Sequence, residues 1–211
     1  MKPRSPGTEG EREAGAYMAQ ILRRDCGCES IQIESFSEHP GGFYGYLSFS
    51  AVLDVLCAAG FFLSPWLSLL LGTASLLLML FQFVLYYEVV DRFFPTKESV
   101  NVTAIRPCTG EVRRRGFFNG HIDAAWEWPV NYRFGGVAFE AHSVIATVGV
   151  LFYLTLALCS LFGAGRWVHT AALLGLLFIP FWIALVFLWD RNRVVDGAND
   201  DLTGCCMGIA L

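Results

Sequence analysis

No apolar leader opens this sequence. Residues 1–30 are polar and carry Glu9, Glu11, Glu13 and Asp25, so no signal peptide is expected and any export must use a later segment. A basic patch interleaved with aromatics is also missing, so nucleic acid is not an expected partner. The net charge of −4 is too small to point to a partner. The seven cysteines (Cys26, Cys28, Cys57, Cys108, Cys159, Cys205, Cys206) are odd in number, and two lie inside apolar runs. That is no secreted disulfide framework and suits a reducing compartment. Cys26-Gly27-Cys28 is too short for the usual zinc pair and has no second pair.

What the chain has in abundance is apolar side chains. They make up 55% of the 211 residues, mean hydropathy is +0.48, and they are gathered in blocks. A membrane protein is therefore expected. Four long runs stand out: about Tyr44 to Leu63, Trp66 to Tyr87, about Val144 to Phe162, and Ala171 to Trp189. Each is near the ~20 residues that cross ~30 Å of hydrocarbon. Ser64-Pro65 separates the first two, and Pro180 is expected to kink the fourth. The runs pair into two hairpins, 43–90 and 143–189. The soluble pieces 1–40, 91–140 and 190–211 then share one side and form one discontinuous domain. Every Lys and Arg of the 15 except Arg166 lies on that side, which the positive-inside rule assigns to the cytoplasm.

The soluble pieces read as α/β. Thr8 and Glu11 have the spacing of a capping box, and Ala14, Tyr17, Met18, Ile21 and Leu22 recur at helical spacing. Gly27 is the expected stop. Strands are expected at Ser30–Glu34 and Ser99–Ile105, and a second, buried strand at Gly116–Gly120.

Two short motifs carry chemistry. In Gly120-His121-Ile122-Asp123 the imidazole and the carboxylate are two apart and share a face if the segment is a strand. A neutral imidazole binds zinc, and a carboxylate behind it fixes the ring. In Asp196-Gly197-Ala198-Asn199-Asp200-Asp201-Leu202-Thr203-Gly204 a glycine turn delivers carboxylates to the start of a helix. Asp200 or Asp201 would equally serve there as an ordinary helix N-cap.

Together, Phe117-Phe118-Asn119-Gly120-His121-Ile122-Asp123 and Gly197-Ala198-Asn199-Asp200-Asp201-Leu202-Thr203-Gly204 resemble the di-zinc aminopeptidases related to bacterial leucyl aminopeptidase, glutamate carboxypeptidase and glutaminyl cyclase. Pro3 to Glu11 is similar to that family's opening segment. The resemblance covers the soluble pieces and leaves out the four apolar runs. It implies an α/β zinc-peptidase sandwich, present here in part and interrupted by two transmembrane α-helical hairpins. It implies His121 as a zinc ligand, Asp200 as the carboxylate bridging two zincs, and Asp123 as the catalytic-site carboxylate behind His121. Asn199 and Asp201 are not expected to ligate. The implied chemistry is hydrolysis of a peptide or aminoacyl substrate by water that two zinc ions activate, in a protein embedded in the lipid bilayer.

The chain departs from that pattern twice. The two motifs are far apart, which an inserted hairpin over about 138–190 would explain. The family's general base and remaining zinc ligands find no match before Leu211, so an incomplete, inactive fragment is expected. Glu127 and His142 are the local substitutes. Glu127 is expected at a pocket mouth or in solvent, and His142 at the membrane interface. Two other readings stand beside the enzyme: a non-catalytic membrane relative of the same fold, and a small four-helix transport component built around Asp54, the only charge within the first two runs.

Overall fold

The computed structural model describes residues 2–210. Contacts divide the chain into two compact units. One comprises Met1–Pro40, Pro95–Glu127 and Arg191–Leu211, and the other Gly41–Phe94 and Trp128–Asp190. The molecule is helix-rich, with small sheets and four apolar helices long enough to cross a membrane.

In the first unit, helix α1 (Glu9–Arg24) packs on an antiparallel pair, β1 (Ser30–Glu38) and β2 (Lys97–Ile105). The pairing runs from Ser30 opposite Ile105 to Glu38 opposite Lys97. The buried line of α1 is Glu11, Gly15 and Ala19, at four-residue spacing, and Tyr17 of the expected apolar stripe is exposed. Small residues bring the helix backbone close to the sheet, and the larger apolar side chains flank that line. The capping box is displaced by one residue. Thr8 Oγ1 donates to the Ser5 carbonyl at 2.7 Å, while Glu11 Oε2 accepts from the Gly7 amide at 2.6 Å. The other Glu11 oxygen accepts from the Ser99 hydroxyl of β2, so this carboxylate ties helix to sheet. Beyond α1, Gly27 sits at φ 63°, as a helix-ending reversal needs.

The strand expected at Gly116–Gly120 does not form. No regular structure spans these residues, and Phe117 and Phe118 are 94% and 67% exposed. Among the described residues the sheet ends at two strands, and this segment lies instead along α8 (Thr203–Ala210). A Cβ on Gly120 would stand 2.7 Å from the Cys205 amide nitrogen, so only glycine permits the approach. A second small pair, β3 (Trp126–Glu127) and β4 (Asp190–Val194), completes the strands of the described residues.

In the second unit, α2 (Gly42–Phe61) and α3 (Pro65–Met79, extended by a wider turn over Leu80–Val84) form the first hairpin. After the short α4 (Pro129–Phe134), α5 (Gly136–Leu161) pairs with a broken helix, α6 (Trp167–Gly175) and α7 (Ile179–Leu185). A tighter turn at Leu176–Phe178 joins the last two. Pro180 causes the break: it offers no N–H to the Leu176 carbonyl, and its ring crowds that group. The spans of 20, 20, 26 and 19 residues match the expected runs, with α5 beginning eight residues earlier than its apolar pattern. Glu140 and His142 lie in that early stretch, so composition alone hides it.

At most 44% of any span is buried inside the unit, so most of each helix presents apolar side chains outward, as lipid requires. Where helices meet, the buried residues are mostly small: Ala58, Ser68, Gly72, Ala146, Gly149, Ala157 and Ala172. Such residues let membrane helices approach closely. Two large ones are held by hydrogen bonds: Tyr153 Oη donates to the Ala172 carbonyl at 2.6 Å, and Trp182 Nε1 to the Ala146 carbonyl at 2.9 Å.

Candidate metal centre

The two motifs meet within the first unit. His121 stands between two carboxylates. Its Nδ1 lies 3.1 Å from Asp123 Oδ1, and its Nε2 lies 3.0 Å from Asp200 Oδ1, 79 positions along the chain. His121 and Asp123 therefore fall on one side even though their segment is not a strand. The ring is half exposed, Asp123 is more sheltered, and Asp200 is open to solvent.

The segment around Asp200 sorts the two adjacent aspartates. Asp201 Oδ1 accepts from the Gly204 amide at 3.0 Å, capping the first turn of α8. Asp200 takes no part in that cap and faces His121. The N-cap role that either residue could fill thus falls to Asp201. Ahead of them Gly197 adopts φ 62°, and a Cβ there would lie 2.8 Å from the Ala124 Cβ. Glycine is required both for the turn and for the close approach of the two segments.

Arg4 joins those segments. Its Nε donates to the Ile122 carbonyl at 3.1 Å and its Nη2 to the Asp196 carbonyl at 2.8 Å. Its own carbonyl accepts from the Ala124 amide at 2.9 Å. The side chain is only 7% exposed. One guanidinium fork thus sets the spacing between His121 and Asp200, a role that sequence reading missed. The available signal was a lone arginine between two prolines, just ahead of a helix otherwise opened by acidic residues.

The electrostatics are those of a histidine held by carboxylates. Burial acts to lower the His121 pKa, but the Asp123 charge and the hydrogen bond to Asp200 outweigh it, so the pKa is raised. Glu11 is raised, chiefly by burial, and Glu38 is pushed up to about 7, again chiefly by burial, with the Glu11 and Asp123 charges adding to it.

The donor geometry bears on zinc. Two ligands of one tetrahedral zinc, each at about 2.0–2.1 Å, stand about 3.3 Å apart. The 3.0 Å between His121 Nε2 and Asp200 Oδ1 is close to that edge, and Asp123 on Nδ1 is the outer-shell carboxylate that fixes such a histidine. The pair fits one edge of a zinc site. Among the described residues, however, no group of three or more His, Cys, Asp or Glu side chains stands together to hold a metal. Glu127, in β3, has Arg193 of β4 3.6 Å away. His142, on α5, packs against Phe181, within the membrane-type unit. Among the described residues, Glu127 forms no metal-holding group with His121.

Comparison with known protein families, with characterised proteins and with solved structures gives no match.

Proposed function

We propose that the first unit is part of a metal-dependent hydrolase of the di-zinc aminopeptidase kind, anchored by the helical unit in a bilayer and acting on peptide or aminoacyl amide bonds. The observation that carries the reading is His121 clasped between Asp123 and Asp200, from two motifs that resemble that family. His121 Nε2 and Asp200 would hold zinc, and Asp123 would orient the ring and keep Nε2 directed at the metal. A bound zinc pair would polarise the substrate carbonyl and lower the pKa of a water molecule. Asp201 is spent on the helix cap, which leaves Asp200 for the metal. Arg4 keeps the two motifs at ligating distance. On this reading α1, the β1–β2 pair and α8 would belong to a partial sandwich, and the segments outside the spans would lie on the cytoplasmic side.

Two donors do not complete the shell, since a catalytic zinc takes at least three protein groups. The reading therefore requires further donors, and a general base, from outside the described residues. The same shortfall favours a second reading, a non-catalytic relative of the fold. Turnover of aminoacyl amides and dipeptides by protein isolated from its native membrane decides between them. The enzyme reading predicts zinc-dependent release of the amine that is abolished in Asp200→Ala. Bound zinc without turnover favours the non-catalytic relative, and neither zinc nor turnover defeats both.

A further inference from the structure

The helical unit is not solidly packed. A cavity of about 290 Å³ lies among α2, α3, α5 and the end of the last span. Most of its wall is apolar or aromatic, with Tyr46, Phe139 and Trp189 among the rings. The polar groups on the wall are few: Asp54 and Ser50 on α2, Ser75 on α3, Ser143 and Thr147 on α5, and the Trp128 indole N–H, which is buried without a partner. Asp54 and Ser50, one turn apart, both line the cavity and are only 3% and 6% exposed. Asp54 Oδ1 and Ser50 Oγ have no hydrogen-bond partner. The Ser75 hydroxyl of α3 faces the Asp54 carboxylate, and two hydroxyls of α5 are committed to their own helix. Ser143 donates to the Phe139 carbonyl at 3.1 Å, and Thr147 to the Ser143 carbonyl at 3.0 Å.

A buried carboxylate oxygen left without a donor is rare in a native interior, and an ionisable group inside a membrane span marks a functional site. No Lys or Arg occurs in any of the four spans, and their two histidines, His142 and His169, do not line the cavity. The missing partner is therefore a donor that enters the cavity. A bare metal cation is a poor fit, because calcium or magnesium needs six or more oxygens and this wall is largely carbon. A hydrocarbon tail would fill the space and leave Asp54 unpaired. A proton would neutralise Asp54 and leave the space empty. An organic ammonium ion satisfies both features, with its N–H groups on Asp54 and Ser50 and its apolar body against the aromatic wall. The volume is that of about ten waters at ~30 Å³ each, near the lower end of ligand pockets.

We infer that this cavity is a binding site for a small organic ammonium ion with an apolar body, with Asp54 as its counter-ion. This site belongs to the helical unit, and the inference does not depend on the reading of the His121 centre. The test is calorimetric titration of the protein in nanodiscs of zwitterionic lipid, with empty nanodiscs as the blank. The probes are 2-phenylethylammonium and its neutral isostere 2-phenylethanol. The expected result is saturable binding of one ammonium per chain, at least tenfold tighter than the alcohol. Asp54→Asn, close in shape to the native residue, should weaken the ammonium tenfold or more and leave the alcohol unchanged. Absence of saturable ammonium binding, or equal affinity for the two probes in the wild-type protein, overturns the inference whatever the variant does. So does a folded Asp54→Asn protein that binds the ammonium as tightly as wild type.

Discussion

Single side chains set the geometry of the His121 centre, and each leaves a measurable trace. Arg4 uses two nitrogens of one guanidinium, Nε and Nη2, on two different segments. A lysine ammonium cannot reproduce that fork. Arg4→Lys and Arg4→Ala should therefore both lower zinc affinity tenfold or more in competition with a chelating dye, and cost about 2–3 kcal/mol of local stability. Asp123→Ala removes the group behind the ring. It should weaken zinc by 10–100-fold, as loss of an outer-shell carboxylate typically does, without removing a direct ligand. Glu38 gives a pH dependence. Its folded-state pKa of about 7 lies above the ordinary 4.5, so between those values the folded state holds more protons than the unfolded state. The Glu38 contribution to stability should then be complete below about pH 4.5 and be lost as pH rises through about 7, by on the order of 1 kcal/mol for this half-buried group. Thermal unfolding of Glu38→Gln should show a flatter pH profile than wild type. An equally steep profile would show that the carboxyl is not responsible.

At the scale of elements, the sequence was legible wherever a pattern was local. The helix over Glu9–Arg24 and both strands of the β1–β2 pair lie where periodicity places them, and all four spans overlap the apolar runs, with α5 starting eight residues earlier. The Pro180 break is legible for the same reason, because the missing N–H acts within one turn. The Gly116–Gly120 strand was not legible. Phe117-Phe118 has strand composition, but a strand needs an edge to pair with, and α8 takes that place beside Gly120. Glu11 has the spacing of a capping-box residue, yet its partners are Gly7 and the distant Ser99. The His121 and Asp200 positions were legible from motif resemblance. The clasp by Arg4 was not, because it joins residues 118 and 192 positions away. In the broken helix, Trp182 is wholly buried and donates to the Ala146 carbonyl. Trp182→Ala should destabilise the helical unit by about 3–5 kcal/mol, read as a lowered melting temperature in detergent. Trp182→Phe, which keeps most of the ring, should cost less.

For the molecule as a whole, one unit holds four apolar helices long enough to cross a membrane, and the other brings His121 and Asp200 together. The proposed topology puts every soluble segment on the cytoplasmic face and the Pro65 and Arg166 turns on the other. Single cysteines introduced near positions 65 and 166 in an otherwise cysteine-free protein should react with a membrane-impermeant maleimide in intact cells. One near position 110 should react only after lysis, and external labelling there would reverse the orientation. The chain of 211 residues should show no turnover of aminoacyl amides with added zinc, since its described residues bring two metal donors together. Turnover lost specifically in Asp200→Ala would refute that donor count. The central claim, that His121 and Asp200 share a metal, is tested most directly by the zinc content of the protein isolated with its membrane, measured beside His121→Ala, Asp200→Ala and Asp201→Ala. Zinc should be lost from the first two variants and retained in Asp201→Ala, whose native carboxylate caps α8. Zinc content unchanged in both His121→Ala and Asp200→Ala would contradict it.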